Sequence, residues 1–244
     1  MSGTLAVLWK ELREIRAQFG SAQRGGLAML GLVGVFSVIL PWQMGREWVT
    51  SPMMLAYWPF AAMSMVINVI ADSFAGERER HTLETLLSSR LSDRAILLGK
   101  YLAAVVNGVG FVVVNLSIGL VTVNLTHGHG TLLLFPGWRA AEILTLVVLT
   151  SAFVAGIGVF VSLRAATVRQ AHQTFGLAIM VLFLTPAIAL QTIPPSWQDR
   201  IFAAARAVGA GRIVLRTVIL LLAIDLALLL AATLRFQRRR LVLD

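Results

Sequence analysis

Residues Ile96 to Val123 read ILLGKYLAAVVNGVGFVVVNLSIGLVTV, with Lys100 as the sole formal charge. Bilayer hydrocarbon is about 30 Å thick and a helix rises about 1.5 Å per residue, so about 20 apolar residues cross it. This run is long enough. It is also continuously apolar rather than alternating, which selects a helix over the short two-faced strands of a membrane barrel. Five further runs flank it: Leu27 to Trp42, Met53 to Phe74, Ala140 to Leu163, His172 to Thr192 and Ile213 to Phe236. The expected fold is an all-α membrane protein with six transmembrane helices, in a single domain over residues 1–244. The first run is the shortest and is expected to extend toward Met44 or to thin the bilayer locally.

Composition agrees. Of 244 residues, 57% are hydrophobic and only 14% charged, and the mean hydropathy of +0.80 exceeds what a soluble core requires. The net charge of +9 raises nucleic acid as a partner, but the basic residues stand between the apolar runs instead of forming one face, so no nucleic acid is expected. The absence of cysteine removes disulfides, iron–sulfur clusters and thiolate metal sites. The charged start lacks a secretory signal's apolar core and cleavage site, and the N-terminus is expected to be mature.

Breakers separate the runs: Pro52, the Thr126 to Pro136 stretch, and Pro194 with Pro195. Trp42, Trp48, Trp58, Trp138 and Trp197 fall near predicted outer ends, as an aromatic belt would. With the N-terminus inside, Lys10, Arg13, Arg16, Arg24, Arg78, Arg80, Arg90, Arg94, Lys100, Arg164, Arg169, Arg235, Arg238, Arg239 and Arg240 are internal, 15 of the 21 basic residues. Arg46, Arg139, Arg200, Arg206, Arg212 and Arg216 make up the outer 6. Both termini are therefore expected in the cytoplasm. Four of the outer six cluster before the last span, where the loop over 193–213 has room for an interfacial helix.

Residues 1–24 carry Leu5, Leu8, Trp9, Leu12, Ile15 and Phe19 at helical spacing, with Lys10, Glu11, Arg13, Glu14 and Arg16 filling the other face. An amphipathic helix on the inner membrane surface is expected, either as an anchor alone or also touching a cytoplasmic partner.

The loop over 75–95 contains Gly76-Glu77-Arg78-Glu79-Arg80-His81-Thr82-Leu83-Glu84-Thr85-Leu86-Leu87-Ser88-Ser89-Arg90-Leu91-Ser92, followed by Ile96-Leu97-Leu98-Gly99-Lys100. Leu83, Leu86, Leu87 and Leu91 give a short helix one apolar stripe, suited to lying flat beneath the membrane or seating in a partner's groove while the charges fix its register. Alternatively, the charges only hold the loop inside. This stretch resembles the signature loop of the ABC-2 type permease superfamily, the membrane subunits of ATP-binding-cassette exporters. There a Glu-Arg-Glu, Gly-Thr, Leu-Glu, Leu-Leu pattern precedes a Gly-Lys opening the third span. His81 departs from it, standing where glycine is usual. The plan of the whole chain is similar, and the residue-level match covers about Gly76 to Lys100; the Arg164 to Ala171 loop resembles the family's second cytoplasmic connection.

The resemblance implies that the loop docks on a separate ABC-type ATPase subunit and passes its movement to the spans, with Glu77, Arg78, Glu79, Thr82, Leu83 and Glu84 as coupling residues. The chain itself is expected to be no enzyme and to hold no cofactor, ATP and Mg being bound by the partner. The one Gly-Lys pair, Gly99-Lys100, has Arg94 and Tyr101 where a P-loop requires glycine and a hydroxyl. Six spans imply a second permease chain, as homodimer or heterodimer.

Within the spans, Asp225 lies near the middle of the last, where an ionised carboxylate costs about 2.5–3.5 kcal/mol on insertion scales. It is expected to be protonated, to face a wet cavity or to pair with a neighbouring helix. Asn68 and Asp72 share a face of the second span, and Asn107 and Asn115 lie two turns apart on the third. These four and Asp225 are candidates for a substrate path, or for interhelical hydrogen bonds. Ser151, Ala152, Ala155, Gly156 and Gly158 favour close packing of the fourth span. His127 and His129 lack a third ligand, so no metal site is expected, and Arg238 to Arg240 in the basic tail over 235–244 suit anionic membrane lipid. The expected function is an ABC permease subunit in the bacterial cytoplasmic (inner) membrane, exporting a substrate the sequence does not name. The alternatives are an autonomous secondary transporter or channel using Asp225 and Asp72, and a scaffold whose loop only recruits a partner.

Overall fold

The computed structural model describes residues 3–19, 26–82 and 90–235, and among them every regular element is helical. Helix α1 (Gly3–Phe19) leads into α2 (Gly26–Gly34), a π-helical turn at Val35–Ile39, α3 (Leu40–Met44) and α4 (Glu47–Thr50). Six further helices follow: α5 (Met54–Glu79), α6 (Asp93–His127), α7 (Gly137–Arg164), α8 (Val168–Thr192), α9 (Pro195–Val208) and α10 (Ala210–Arg235). Among the described residues α5, α6, α7 and α10 are long and apolar enough to cross a membrane, with Met29–Met44 as a shorter apolar segment. The protein is thus a multi-pass membrane protein.

The first expected run reaches Met44 but is interrupted, for a physical reason. Pro41 has no N–H to give to the carbonyl four residues back, and the helix before it widens so that Leu40 N–H bonds to Val35 O, five residues back. At that widened turn the Ser37 hydroxyl, fully buried, donates to Asn115 Oδ1 at 2.6 Å. The 193–213 region, where the sequence leaves room for an interfacial helix, contains the 14-residue α9, begun by Pro195 where its missing N–H costs nothing.

Helix α6 has 35 residues, about 52 Å at the usual rise, and projects beyond the hydrocarbon. The Ser92 hydroxyl caps its start by accepting from Ala95 N–H. Near its far end Asn124 accepts from Leu133 N–H at 2.7 Å and donates to Leu133 O at 2.8 Å, pinning the loop that follows.

Helix α5 packs most extensively on α7. The small residues of α7 permit this, since a side chain at Gly158 would collide with Ile70 of α5. One buried cluster includes Val66, Ile70, Phe74, Ile96, Leu97, Val159 and Phe175; a second, toward the opposite end, includes Trp48, Trp58, Phe111, Val112 and Ile143. The aromatic belt is accordingly smaller than expected. Trp48 and Trp58 are fully buried and meet edge-on with centroids 5.9 Å apart, whereas Trp42, Trp138 and Trp197 are exposed. Packing the two large rings together removes more apolar surface from solvent than an interfacial position does. Among the four long apolar helices α10 is the outlier, burying only Asp225 and Ala232 of its described residues.

Candidate functional site

The charged motif completes the end of α5. Thr82 N–H bonds to Glu77 O at 2.9 Å and His81 N–H to Arg78 O at 3.1 Å, the paired bonds that close a helix through a left-handed residue. That residue is His81, at φ 56°. The position where the resembling pattern carries glycine is therefore the one whose backbone favours glycine, and here an L side chain bears the strain.

Glu77, Arg78 and Glu79 then diverge to three different elements. Glu77 is buried and accepts from Lys100 Nζ of α6 and from Lys10 Nζ of α1, each at 3.3 Å, and from the Thr82 hydroxyl. Arg78 donates to Leu163 O at 2.9 Å and to Ala165 O, occupying carbonyls that the end of α7 leaves free. Glu79 accepts from Val168 N–H at 3.1 Å, the first amide of α8. Three consecutive side chains thus bind α1 with α6, the end of α7 and the start of α8.

At the centre of the cluster Lys100 is 1% exposed, and its ammonium lies 2.8 Å from Glu11 and 3.3 Å from Glu77. It also sits 5.6 Å from the Phe74 ring centroid. Lys10 closes the array with Glu11 at 3.6 Å and Glu14 at 3.2 Å. Burial pulls the Lys10 ammonium down, but Glu11, Glu77 and Glu14 outweigh it and hold it above its usual range. Nearby, Arg80 pairs with Asp72 at 3.2 Å; burial opposes its charge, and Asp72 together with Glu77 and Glu14 outweighs that, holding the guanidinium above its usual range.

Helix α1 reaches this site by a face the sequence pattern does not isolate. Val7, Glu11 and Ile15, spaced by four, are buried against α6, while Leu5 and Trp9 are exposed. The expected apolar stripe is therefore split, because the buried face has a carboxylate at its middle to meet Lys100. Gly99 makes the approach possible: a Cβ there would lie 2.5 Å from Val7 Cβ. Gly99-Lys100 is a docking point within α6, with the glycine admitting α1 and the lysine binding it. Lys10, Glu11 and Lys100 were not singled out as site residues, and the signal that could have found them was a lysine five residues inside a 28-residue apolar run.

Of the other expected coupling residues, Thr82 is placed as above, whereas Leu83 and Glu84, with most of the leucine stripe, lie outside the described residues, as do Arg238 to Arg240. Leu91, the last of the stripe, packs against the start of α1. The five path candidates do not converge, and no hydrogen bond or ion pair joins any two of them among the described residues. Asn68 donates to Ser64 O in its own helix, Asp72 holds Arg80, and Asn115 bonds Ser37. Asn107 Nδ2 and both Asp225 carboxylate oxygens are buried without partners among the described residues. His127 packs its ring at Gly45 and meets the Thr126 hydroxyl at 2.8 Å.

A sequence model of the ABC-2 type transporter family matches residues 3–204. The match runs from the helix bearing Glu11, through the Glu-Arg-Glu motif and Lys100, into α9. The chain belongs to the ABC-2 type transporter family and is a permease by class. Comparison with curated proteins gave no match.

Proposed function

We propose that this chain is the permease subunit of an ABC exporter in a bacterial cytoplasmic membrane, with six spans and both termini cytoplasmic. It works with a separate ATPase subunit that binds ATP and Mg, and pairs with a second permease chain, identical or related, to complete the transport path. The observation that carries the reading is the divergence of Glu77, Arg78 and Glu79 to three elements at one membrane end. A push on the loop beside them reaches α1, α6, α7 and α8 together, as transmission from a docked partner requires. Thr82, Leu83 and Glu84 are the further coupling residues of this reading, and family membership supports the ATPase partner.

The test is purification of the tagged protein in mild detergent from its native membrane, with identification of bound subunits and measurement of ATPase activity and transport. A P-loop ATPase is expected to co-purify, and Glu79→Ala or Glu84→Ala to separate hydrolysis from transport without loss of expression. Normal coupled transport in both variants would reject the coupling role.

A second reading, an autonomous secondary transporter, is favoured by one feature, the unpartnered Asp225 carboxylate. Solute movement by the purified chain in ATP-free vesicles would select it.

A further inference from the structure

A cavity of about 250 Å³ opens where α7 ends and α8 begins, lined by Ile157, Phe160, Val161, Arg164, Gln170 and Thr174. Its lining changes character with depth. Ile157 lies about 10 Å along α7 from Arg164 at the usual helical rise, so an apolar wall stands on the hydrocarbon side and a polar rim at the helix ends.

The rim offers hydrogen-bond donors. Arg164 is exposed and has no ion pair or hydrogen bond among the described residues, leaving its five N–H groups free. The Gln170 side-chain oxygen is engaged by Ala166 N–H at 2.8 Å, which leaves its amide N–H groups as the free end. No carboxylate lines the cavity. A cationic donor rim above an apolar wall, between two long apolar helices, is complementary to a phosphate that carries acyl chains.

We propose that this cavity binds the headgroup phosphate of an anionic phospholipid, its acyl chains running along Ile157, Phe160 and Val161. Free phosphate has the same chemistry for Arg164 but no use for the apolar wall. The turn under the headgroup is the one whose carbonyls hold Arg78 and whose Val168 amide holds Glu79. Ala165, whose carbonyl holds Arg78, is also part of the cavity lining, so bound lipid buttresses that turn, and this binding stands whether or not the chain serves an ATPase.

The experiment is native mass spectrometry of the purified full chain with phosphatidylglycerol or phosphatidylcholine of matched acyl chains. The wild type is expected to retain phosphatidylglycerol selectively. Arg164→Gln is expected to lower that selectivity about tenfold or more, the size of a lost charge-assisted contact. Ile157→Trp, which fills the apolar wall, is expected to do the same, while Arg169→Gln, on an exposed arginine outside the cavity, retains it. Equal losses in Arg164→Gln and Arg169→Gln would overturn the proposal in favour of diffuse surface attraction. Displacement of the lipid by inorganic phosphate would make this a free-phosphate site. A Thr174→Cys disulfide between two copies that excludes lipid would assign the cavity to a second chain.

Discussion

The Lys100 ammonium of α6 lies 2.8 Å from the Glu11 carboxylate of α1, with Lys100 1% exposed. Removing one member of a buried ion pair leaves the other charge without compensation, at a cost of about 3–5 kcal/mol. Lys100→Met is therefore expected to lower thermal stability and release α1 to protease. Adding Glu11→Gln should recover part of the loss, with a coupling above about 1 kcal/mol in a double-mutant cycle. Additive losses would mean that the two groups do not act on each other. Lys10 is half-exposed, and its removal is expected to cost less than about 1 kcal/mol.

Gly99 is expected to tolerate no side chain while Val7 faces it. Gly99→Ala should destabilise the α1 contact by about 1–3 kcal/mol, the usual cost of overpacking. Because the clash is with Val7 Cβ itself, Val7→Gly should relieve it and Val7→Ala should not. Equal rescue by both would show that α1 approaches α6 differently.

His81→Gly should stabilise the end of α5 by about 1 kcal/mol, since glycine adopts the left-handed conformation without the Cβ penalty. Slower amide exchange at His81 and Thr82, the donors of the two closing bonds, is the readout. Faster exchange would mean that the imidazole makes a contact worth more than the backbone strain.

Arg78→Lys is expected to behave like Arg78→Ala rather than like the wild type. A planar guanidinium spans the two carbonyls of Leu163 and Ala165, and a single ammonium does not reproduce that fork. Cleavage by protease between α7 and α8 should rise in both variants; full protection in Arg78→Lys would show that charge alone suffices.

Asp225→Leu should raise thermal stability by about 1 kcal/mol or more, because a buried carboxyl with no hydrogen-bond partner among the described residues opposes membrane packing. A fall of that size, measured in the assembled protein, would mean that another chain or a bound solute completes the group's hydrogen bonds.

The helical class and the long spans were legible because run length in hydrocarbon leaves few alternatives, and the family resemblance because the motif over Gly76 to Lys100 is contiguous in sequence. Glu77, Arg78, Glu79 and Thr82 were legible as a motif, but not their targets. Only the folded chain brings Leu163, Ala165 and Val168 beneath them, 85 or more residues away along the chain. The face by which α1 meets α6 was not legible because Glu11 breaks its hydrophobic pattern, and what makes a carboxylate acceptable there is a lysine 89 residues away. Asn115 was open between path and packing, and Ser37, on the turn widened before Pro41, supplies the packing partner. His81 was visible as a departure from glycine, but its left-handed backbone was not.

Besides the mid-length bond from Ser37 to Asn115 and its packing in the core, helix α6 is gripped near its two ends, by Glu11 and Glu77 at Lys100 and by Leu133 at Asn124. These points lie about 36 Å apart along an unbroken helix. A beam held so far apart converts small rotations into large excursions: a tilt of about 5° about Lys100 carries Asn124 about 3 Å sideways. That is as long as the hydrogen bonds by which Asn124 grips its loop, so the loop must travel with the helix or let go.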